Sequence, residues 1–196
     1  MIIIFNKPFG TLSQFTPEPL STYLTLAVYG FPPDVYPVGR LDADSEGLLL
    51  LSDEKGLPTY LLDPDSAHER TYWVQVEGIP TQAALDQIQS GILIKNRRTL
   101  PCAAELLSPQ PNIPDRIPPI RVRFSIPTTW ITIRLVEGKN RQVRRMCAHV
   151  GFPALRLIRT SIGKLVLPED SLEQGQWRAL QSEERALLFA PNRTTT

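Results

Sequence analysis

The chain is poor in histidine and cysteine. Only His68 and His149, and only Cys102 and Cys147, occur in 196 residues, and each pair is far apart in sequence. Two separated cysteines make neither a disulfide framework nor a thiolate metal set, and read as reduced thiols of a cytoplasmic protein. With histidine so scarce, a His-based metal centre and a serine-type triad are both set aside. Long apolar runs are missing too. None reaches the roughly 18 to 20 residues that a membrane span needs. The opening Ile2-Ile3-Ile4-Phe5 stops at Asn6-Lys7 and has no basic segment ahead of it, so it reads as a short buried strand rather than a signal peptide. No glycine-rich GxGxxG follows a strand, and no P-loop is present, so no nucleotide cofactor is expected.

Charge of one sign is not in excess, since the formal net charge is +1. Its distribution is uneven. From Arg121 to Lys164 there are ten Lys/Arg and a single acid, Glu137, giving +9 and leaving −8 for the rest of the chain. Such a block points to one basic face that meets a polyanion. Hydrophobic residues make up 42% of the chain, enough for a real core in one domain of this length.

The strand and helix signals follow in order. Leu20, Tyr23, Leu24 and Ala27 have helical spacing, which predicts a short helix over 20–29 ended by Gly30. Leu48 to Leu51 predicts a buried strand, Leu57 to Leu62 a helical turn and 63–66 a loop. Thr71-Tyr72-Trp73-Val74-Gln75-Val76-Glu77 is the best strand, β-branched and aromatic-rich. Thr81 to Ser90 predicts a helix capped by Thr81 and stopped by Gly91, and Ile92 to Ile94 a strand followed by a turn at Lys95-Asn96-Arg97-Arg98. Prolines 109, 111, 114, 118 and 119 predict a surface excursion. Strands are expected at Arg121–Phe124 and Trp130–Val136. Val143, Met146, Cys147 and Val150 line one face of a helix for which Asn140 is the expected N-cap. Arg156 to Val166 reads as a strand and Ser182 to Phe189 as a last helix, with a tail over 186–196. Strands outnumber helices without regular alternation, which predicts an α+β fold with a mixed, largely antiparallel sheet and flanking helices.

The stretch most able to carry chemistry is Gly39-Arg40-Leu41-Asp42-Ala43-Asp44-Ser45-Glu46-Gly47, fused to four leucines. A polar turn anchored by a buried run is held rigidly, as a catalytic group must be. Asp42, Asp44 and Glu46 are three acids at alternate positions. One of them can point into a site, or all three can be turn residues. A glycosidase pair would need two carboxyl groups about 5 to 9 Å apart, which this spacing neither supports nor forbids.

Four ordered stretches carry a resemblance. They are Lys7-Pro8-x-Gly10; Gly39-Arg40-Leu41-Asp42-x-x-Ser45-x-Gly47-Leu48-Leu49; Arg70-Thr71-Tyr72-Trp73-Val74-Gln75-Val76-Glu77-Gly78; and Glu137-Gly138-Lys139-Asn140-Arg141-Gln142-Val143-Arg144-Arg145-Met146. Leu157-Ile158-Arg159 with Ile162-Gly163 follows in step. Together they resemble the ribosomal RNA pseudouridine synthases of the RsuA-like family, in the short form that acts on large-subunit RNA. The chain departs from many relatives in having no room for an S4-type RNA-binding domain, and in carrying Ser45 and Arg70 where threonine and lysine are common.

The resemblance implies one catalytic domain over 1–185, with lobes 1–66 and 67–185 around a central cleft. It implies that a uridine in ribosomal RNA, in the 23S molecule, is isomerised to pseudouridine without a metal or other cofactor. Asp42 would be the nucleophile or charge-stabilising carboxylate, and additions at C1′ or C6 and a glycal route all remain open. Arg144 would be its ion-pair partner, and Tyr72 would stack on the uracil and help remove the C5 proton. Lys7, Arg40, Lys139, Asn140, Arg141, Arg145 and Arg159 would hold RNA. Within that set Lys7 supports the site floor and Arg40 fills the space left by a flipped nucleotide. The expected partner is ribosomal RNA, single-stranded or with the uridine flipped from a stem-loop, met by a cytoplasmic monomer. A non-catalytic ribosome-assembly factor on the same fold is the other reading of the basic segment.

Overall fold

The computed structural model describes residues 1–63, 68–168 and 171–190. The expected loop at 63–66 therefore lies mostly outside the described residues, as do the last six residues of the expected tail. The chain divides into two compact units, Met1–Arg70 with Arg159–Thr196, and Thr71–Ile158. The lobes expected from sequence, 1–66 and 67–185, differ from these units in where the returning segment after Arg159 belongs.

The first unit is built on two strands buried along their whole length, β1 (Ile2–Lys7) and β3 (Glu46–Ser52). They pair antiparallel, with Ile3 opposite Leu51 and Lys7 opposite Gly47. A short strand β2 (Tyr36–Pro37) pairs with β3. Leu48, Leu49, Leu50 and Leu51 are all 0% exposed because both faces of β3 are covered. On one face Leu48, Leu50, Ile2 and Ile4 pack with Leu57 and Leu61 of helix α1 (Leu57–Leu62). On the other, Phe5 meets Tyr29 and Phe31 at ring-centroid distances of 4.8 and 5.1 Å. Each such side chain is worth about 1.5 to 3 kcal/mol of burial. The expected helix over 20–29 is only a 3-10 turn, Leu26–Tyr29, capped by the Thr25 hydroxyl. The earlier residues Leu20, Tyr23 and Leu24 are exposed and bury no stripe that would hold a longer helix.

The second unit begins with β4 (Arg70–Glu77) and helix α2 (Gln82–Ser90), whose N-cap is Thr81 as expected. Then come β5 (Leu93–Ile94), β6 (Arg97–Arg98), β7 (Ala103–Leu106) and β8 (Thr128–Leu135). β5 and β6 form a hairpin in which Lys95 and Asn96 both have positive φ, at 50° and 61°. This is the primed turn that suits a two-residue hairpin. Lys95–Arg98 is thus a turn plus a strand, rather than a turn throughout. The proline-rich excursion separates β7 from β8. Arg121–Phe124, expected as a strand, has no strand geometry; Val122 is 62% and Phe124 103% exposed.

Helix α3 (Gln142–His149) buries Val143, Met146 and Cys147 against Val74, Val76, Ile131 and Ile133. Its N-cap is Arg141 at φ 52°, not Asn140. The Asn140 side chain is occupied elsewhere, accepting from Arg145 at 2.8 Å. β9 (Ala154–Ile162) carries the chain from this unit into the other, the division falling between Ile158 and Arg159. The expected strand 156–166 breaks at Gly163-Lys164 into β9 and β10 (Leu165–Val166), which pair antiparallel.

The first unit closes with β11 (Trp177–Ala179), paired with β1, and α4 (Ser182–Phe189), whose Leu188 is fully buried. Residues 186–189 therefore belong to a packed helix and not to a tail. The class is α+β, and every strand pairing with a described register is antiparallel. No described helix is long and apolar enough to cross a membrane.

Candidate active site

Asp42 sits where the polar turn enters β3. The turn is closed by the Ser45 amide donating to the Asp42 carbonyl at 3.0 Å. Ser13, 3% exposed, locks the residue before it: its hydroxyl donates to the Leu41 carbonyl at 2.7 Å and accepts from the Leu41 amide at 3.0 Å. The Gly10 amide donates to the Ala43 carbonyl at 2.8 Å. The Lys7-Pro8-x-Gly10 stretch and Ser13 thus clamp the turn on both sides of Asp42, whose side chain is half-buried. Rigid support of this kind is what a reacting carboxylate requires.

Lys7 lies beneath the turn and is 0% exposed. Its Nζ donates to the Pro8 carbonyl at 3.0 Å and to the Ala43 carbonyl at 3.5 Å. Burial pushes its ammonium down to about 7; Glu46, Asp44 and Asp42 oppose that shift, while Arg159 adds to it. Arg159 is itself 4% exposed, its Nε donating to the Leu48 carbonyl at 2.8 Å. Among the described residues its Nη2 has no hydrogen-bond acceptor. The first unit therefore holds a floor of two buried cations below three acids, and one guanidinium nitrogen on that floor still needs an acceptor.

Glu46 is the residue that sequence reasoning misassigned. Asp42 was the acid selected, leaving Glu46 as a turn residue, yet Glu46 opens β3, is 0% exposed and accepts from Gln174 Nε2 at 2.7 Å. Its partner is 128 positions away, beyond the reach of any local pattern. The one usable signal was Lys7: a buried ammonium calls for a nearby carboxylate. Ser13 was also missed, because a single hydroxyl in a loop carries no pattern. Arg40 is exposed, donating to Gln14 Oε1 at 3.2 Å. It shares the turn with Asp42 but stays outside the buried floor.

The second unit holds the remaining expected residues. Tyr72 packs its ring against the core that contains Val143 and Met146 of α3. Arg144, on the first turns of α3, donates from Nη1 to the Ala154 carbonyl at 3.2 Å. Lys139 and Asn140 are exposed in the loop before α3, Arg141 is its cap, and Arg145 is half-buried on the helix. The structure thus brings Lys7, Asp42 and Arg159 together in one unit, and Tyr72, Arg144 and the basic helix start together in the other. Both Cys102 and Cys147 are pushed up by burial, to about 11 and about 12, which makes them poor nucleophiles at neutral pH.

The first unit thus holds the clamped Asp42 turn with buried Lys7 and Arg159, and the second holds a basic helix start. Residues 1–149 match the RNA pseudouridylate synthase family model, and the chain belongs to that family. It is 48% identical over 180 residues to ribosomal large subunit pseudouridine synthase E of Vibrio parahaemolyticus, covering 92% of this chain and 74% of that one. It is 47% identical over 178 residues to the Xanthomonas campestris protein of the same name, covering 91% and 94%. A crystal structure of a pseudouridylate synthase superposes with a TM-score of 0.77 at 26% identity, covering 95% of this chain and 73% of that one.

Proposed function

We propose that this enzyme isomerises one uridine of large-subunit ribosomal RNA to pseudouridine, and that Asp42 is its catalytic carboxylate. The reaction breaks the bond between N1 of uracil and C1′ of ribose, turns the base and forms a C1′–C5 bond. The proton lost from C5 is balanced by one gained at N1. The observation that carries the reading is the double clamp of Ser13 and Gly10 on the Asp42 turn, in a chain nearly half identical to large-subunit synthases.

In this reading Arg144 is the ion-pair partner of Asp42. Tyr72 stacks on the uracil and assists loss of the C5 proton. Lys7 supports the site floor, and the buried guanidinium of Arg159, with its unsatisfied Nη2, offers a hydrogen bond to RNA. Lys139, Asn140, Arg141 and Arg145 contact phosphates, and Arg40 fills the space left by the extruded nucleotide. Extrusion costs a few kcal/mol, which the basic segment offsets through phosphate contacts. The enzyme acts in the cytoplasm as a monomer.

Asp42→Asn is the direct test. Purified protein is incubated with unmodified large-subunit ribosomal RNA, and pseudouridine is mapped at nucleotide resolution. Wild type should add pseudouridine at one position. Asp42→Asn should add none while binding the RNA within about threefold of wild type. An unchanged map with wild type, or full activity in Asp42→Asn, overturns the proposal.

A further inference from the structure

The second unit contains a cavity of about 250 Å³ between the β5–β6 hairpin and the loop leading into α3. Five cations line it: Lys95, Arg97 and Arg98 from the hairpin, and Lys139 and Arg145 from the other side. The lining has one acid, Glu137, so five cations and one carboxylate leave a net charge of +4. Glu137 is turned to other work, accepting from the Leu100 amide and from Gln142 Nε2, both at 2.7 Å.

Two of the three guanidinium groups are held by neutral acceptors. Arg98 donates to the Gly91 carbonyl at 2.7 Å, and Arg145 donates to Asn140 Oδ1 at 2.8 Å. Among the described residues none of the five cations makes an ion pair with a carboxylate. Fixed, uncompensated cations around a concavity are a seat for an anion.

Size and lining narrow the anion. The volume is below the roughly 300 to 1,000 Å³ usual for small-molecule sites. The lining contains no aromatic side chain on which a base could stack. What fits is a phosphate group.

We propose that this cavity seats a backbone phosphate of the substrate RNA, outside the reacting nucleotide, and that the β5–β6 hairpin is an RNA-docking element. The inference rests on the ribosomal RNA reading above for the identity of the polyanion. It adds Lys95, Arg97 and Arg98, which stand outside the basic segment 121–164, to the RNA-contacting residues. Docking at the hairpin fixes the register of the RNA and takes no part in the isomerisation.

The test uses Lys95→Gln combined with Arg97→Gln, two exposed positions where neutral side chains leave the fold intact. Lys55→Gln, an exposed charge in the other unit, is the control. Binding to transcribed large-subunit ribosomal RNA is measured from low to moderate salt, together with the KM and kcat of pseudouridine formation. The double variant should bind about tenfold more weakly at low salt, and the slope of log Kd against log salt should fall by about one, for the single phosphate the cavity seats. KM should rise with kcat held, and Lys55→Gln should match wild type. Wild-type Kd and slope in the double variant, or a fall in kcat without a rise in KM, overturns the proposal. Displacement of bound RNA by inorganic phosphate alone at low millimolar concentration would instead assign a free small anion, and overturns it as well. A wild type that binds RNA through the hairpin yet forms no pseudouridine would remove the ribosomal RNA reading while leaving the phosphate seat standing.

Discussion

Ser13 and Leu41 exchange two hydrogen bonds, the hydroxyl donating to the Leu41 carbonyl at 2.7 Å and accepting from its amide at 3.0 Å. Both residues are buried, so neither backbone group can turn to water if the hydroxyl is lost. Ser13→Ala should therefore cost about 1 to 3 kcal/mol of stability. The released turn is the one that carries Asp42, so kcat for pseudouridine formation should fall by at least tenfold while KM changes little. Urea denaturation and steady-state kinetics on the same preparation check both. A variant that loses stability but keeps kcat would make Ser13 a fold residue only.

Lys7 gives a pH dependence with a definite sign. Its ammonium titrates near 7 in the folded protein because of burial, against an ordinary value of 10.5. Between those values the unfolded chain holds a proton that the folded chain has released. Stability from this group therefore rises with pH across the window, and the burial penalty is full below pH 7. Lys7→Met removes the titration while keeping most of the volume. The stability difference, wild type minus variant, should become more favourable to wild type from pH 7 to about pH 10. Urea midpoints at several pH values measure it, and parallel profiles would show that Lys7 keeps its charge throughout.

Much of this was legible in the sequence, for identifiable reasons. The stretches Ile2–Phe5 of β1 and Leu48–Leu51 of β3 contain only apolar residues, and the helical face of α3 repeats at the right interval, so local pattern alone was enough. The polar turn of Asp42 stood out because it joins a leucine run. What the sequence concealed depends on distant partners. Glu46 looked like a third turn acid until Gln174 and the buried Lys7 gave its carboxylate a reason to be inside. Val122 and Phe124 alternate as strand residues do, but with no strand beside them the alternation has nothing to bury. At the α3 cap, Asn140 has the right chemistry, yet Arg145 takes its side-chain oxygen. The basic cavity was invisible for the same reason, being assembled from a hairpin and a helix entry about forty residues apart.

Tyr72 separates stacking from proton transfer. Its ring packs against the core that includes Val143 and Met146, and Phe would keep that contact. Tyr72→Phe should change stability by less than about 1 kcal/mol and leave KM for RNA near wild type. If the phenol assists removal of the C5 proton, kcat should drop by about 10² to 10⁴-fold, the usual range for general acid–base catalysis. Retention of the full rate would reduce Tyr72 to a stacking surface.

Gly91 tests the support of the hairpin. It has φ +87°, and a Cβ built there would stand 2.4 Å from the Thr99 carbonyl oxygen. That oxygen belongs to backbone, so it cannot swing aside as a flexible side chain would. Thr99 also donates its amide to the Ile92 carbonyl and accepts the Ile92 amide on Oγ1, both at 2.9 Å, so moving it disrupts the base of the hairpin. Gly91→Ala should therefore destabilise the protein by about 3 kcal/mol or more, from strain and displacement together. Gly56→Ala is the contrast: its φ is −81° and a Cβ there meets nothing within 4 Å, so it should stay within about 0.5 kcal/mol of wild type. Because Arg98 donates to the Gly91 carbonyl, Gly91→Ala should also weaken RNA binding at temperatures where the variant remains folded. Thermal melts followed by binding at 10 °C separate the two effects. Equal melting temperatures for the two variants would mean that the hairpin base shifts without strain, and that its geometry is not what holds the cationic side chains in place.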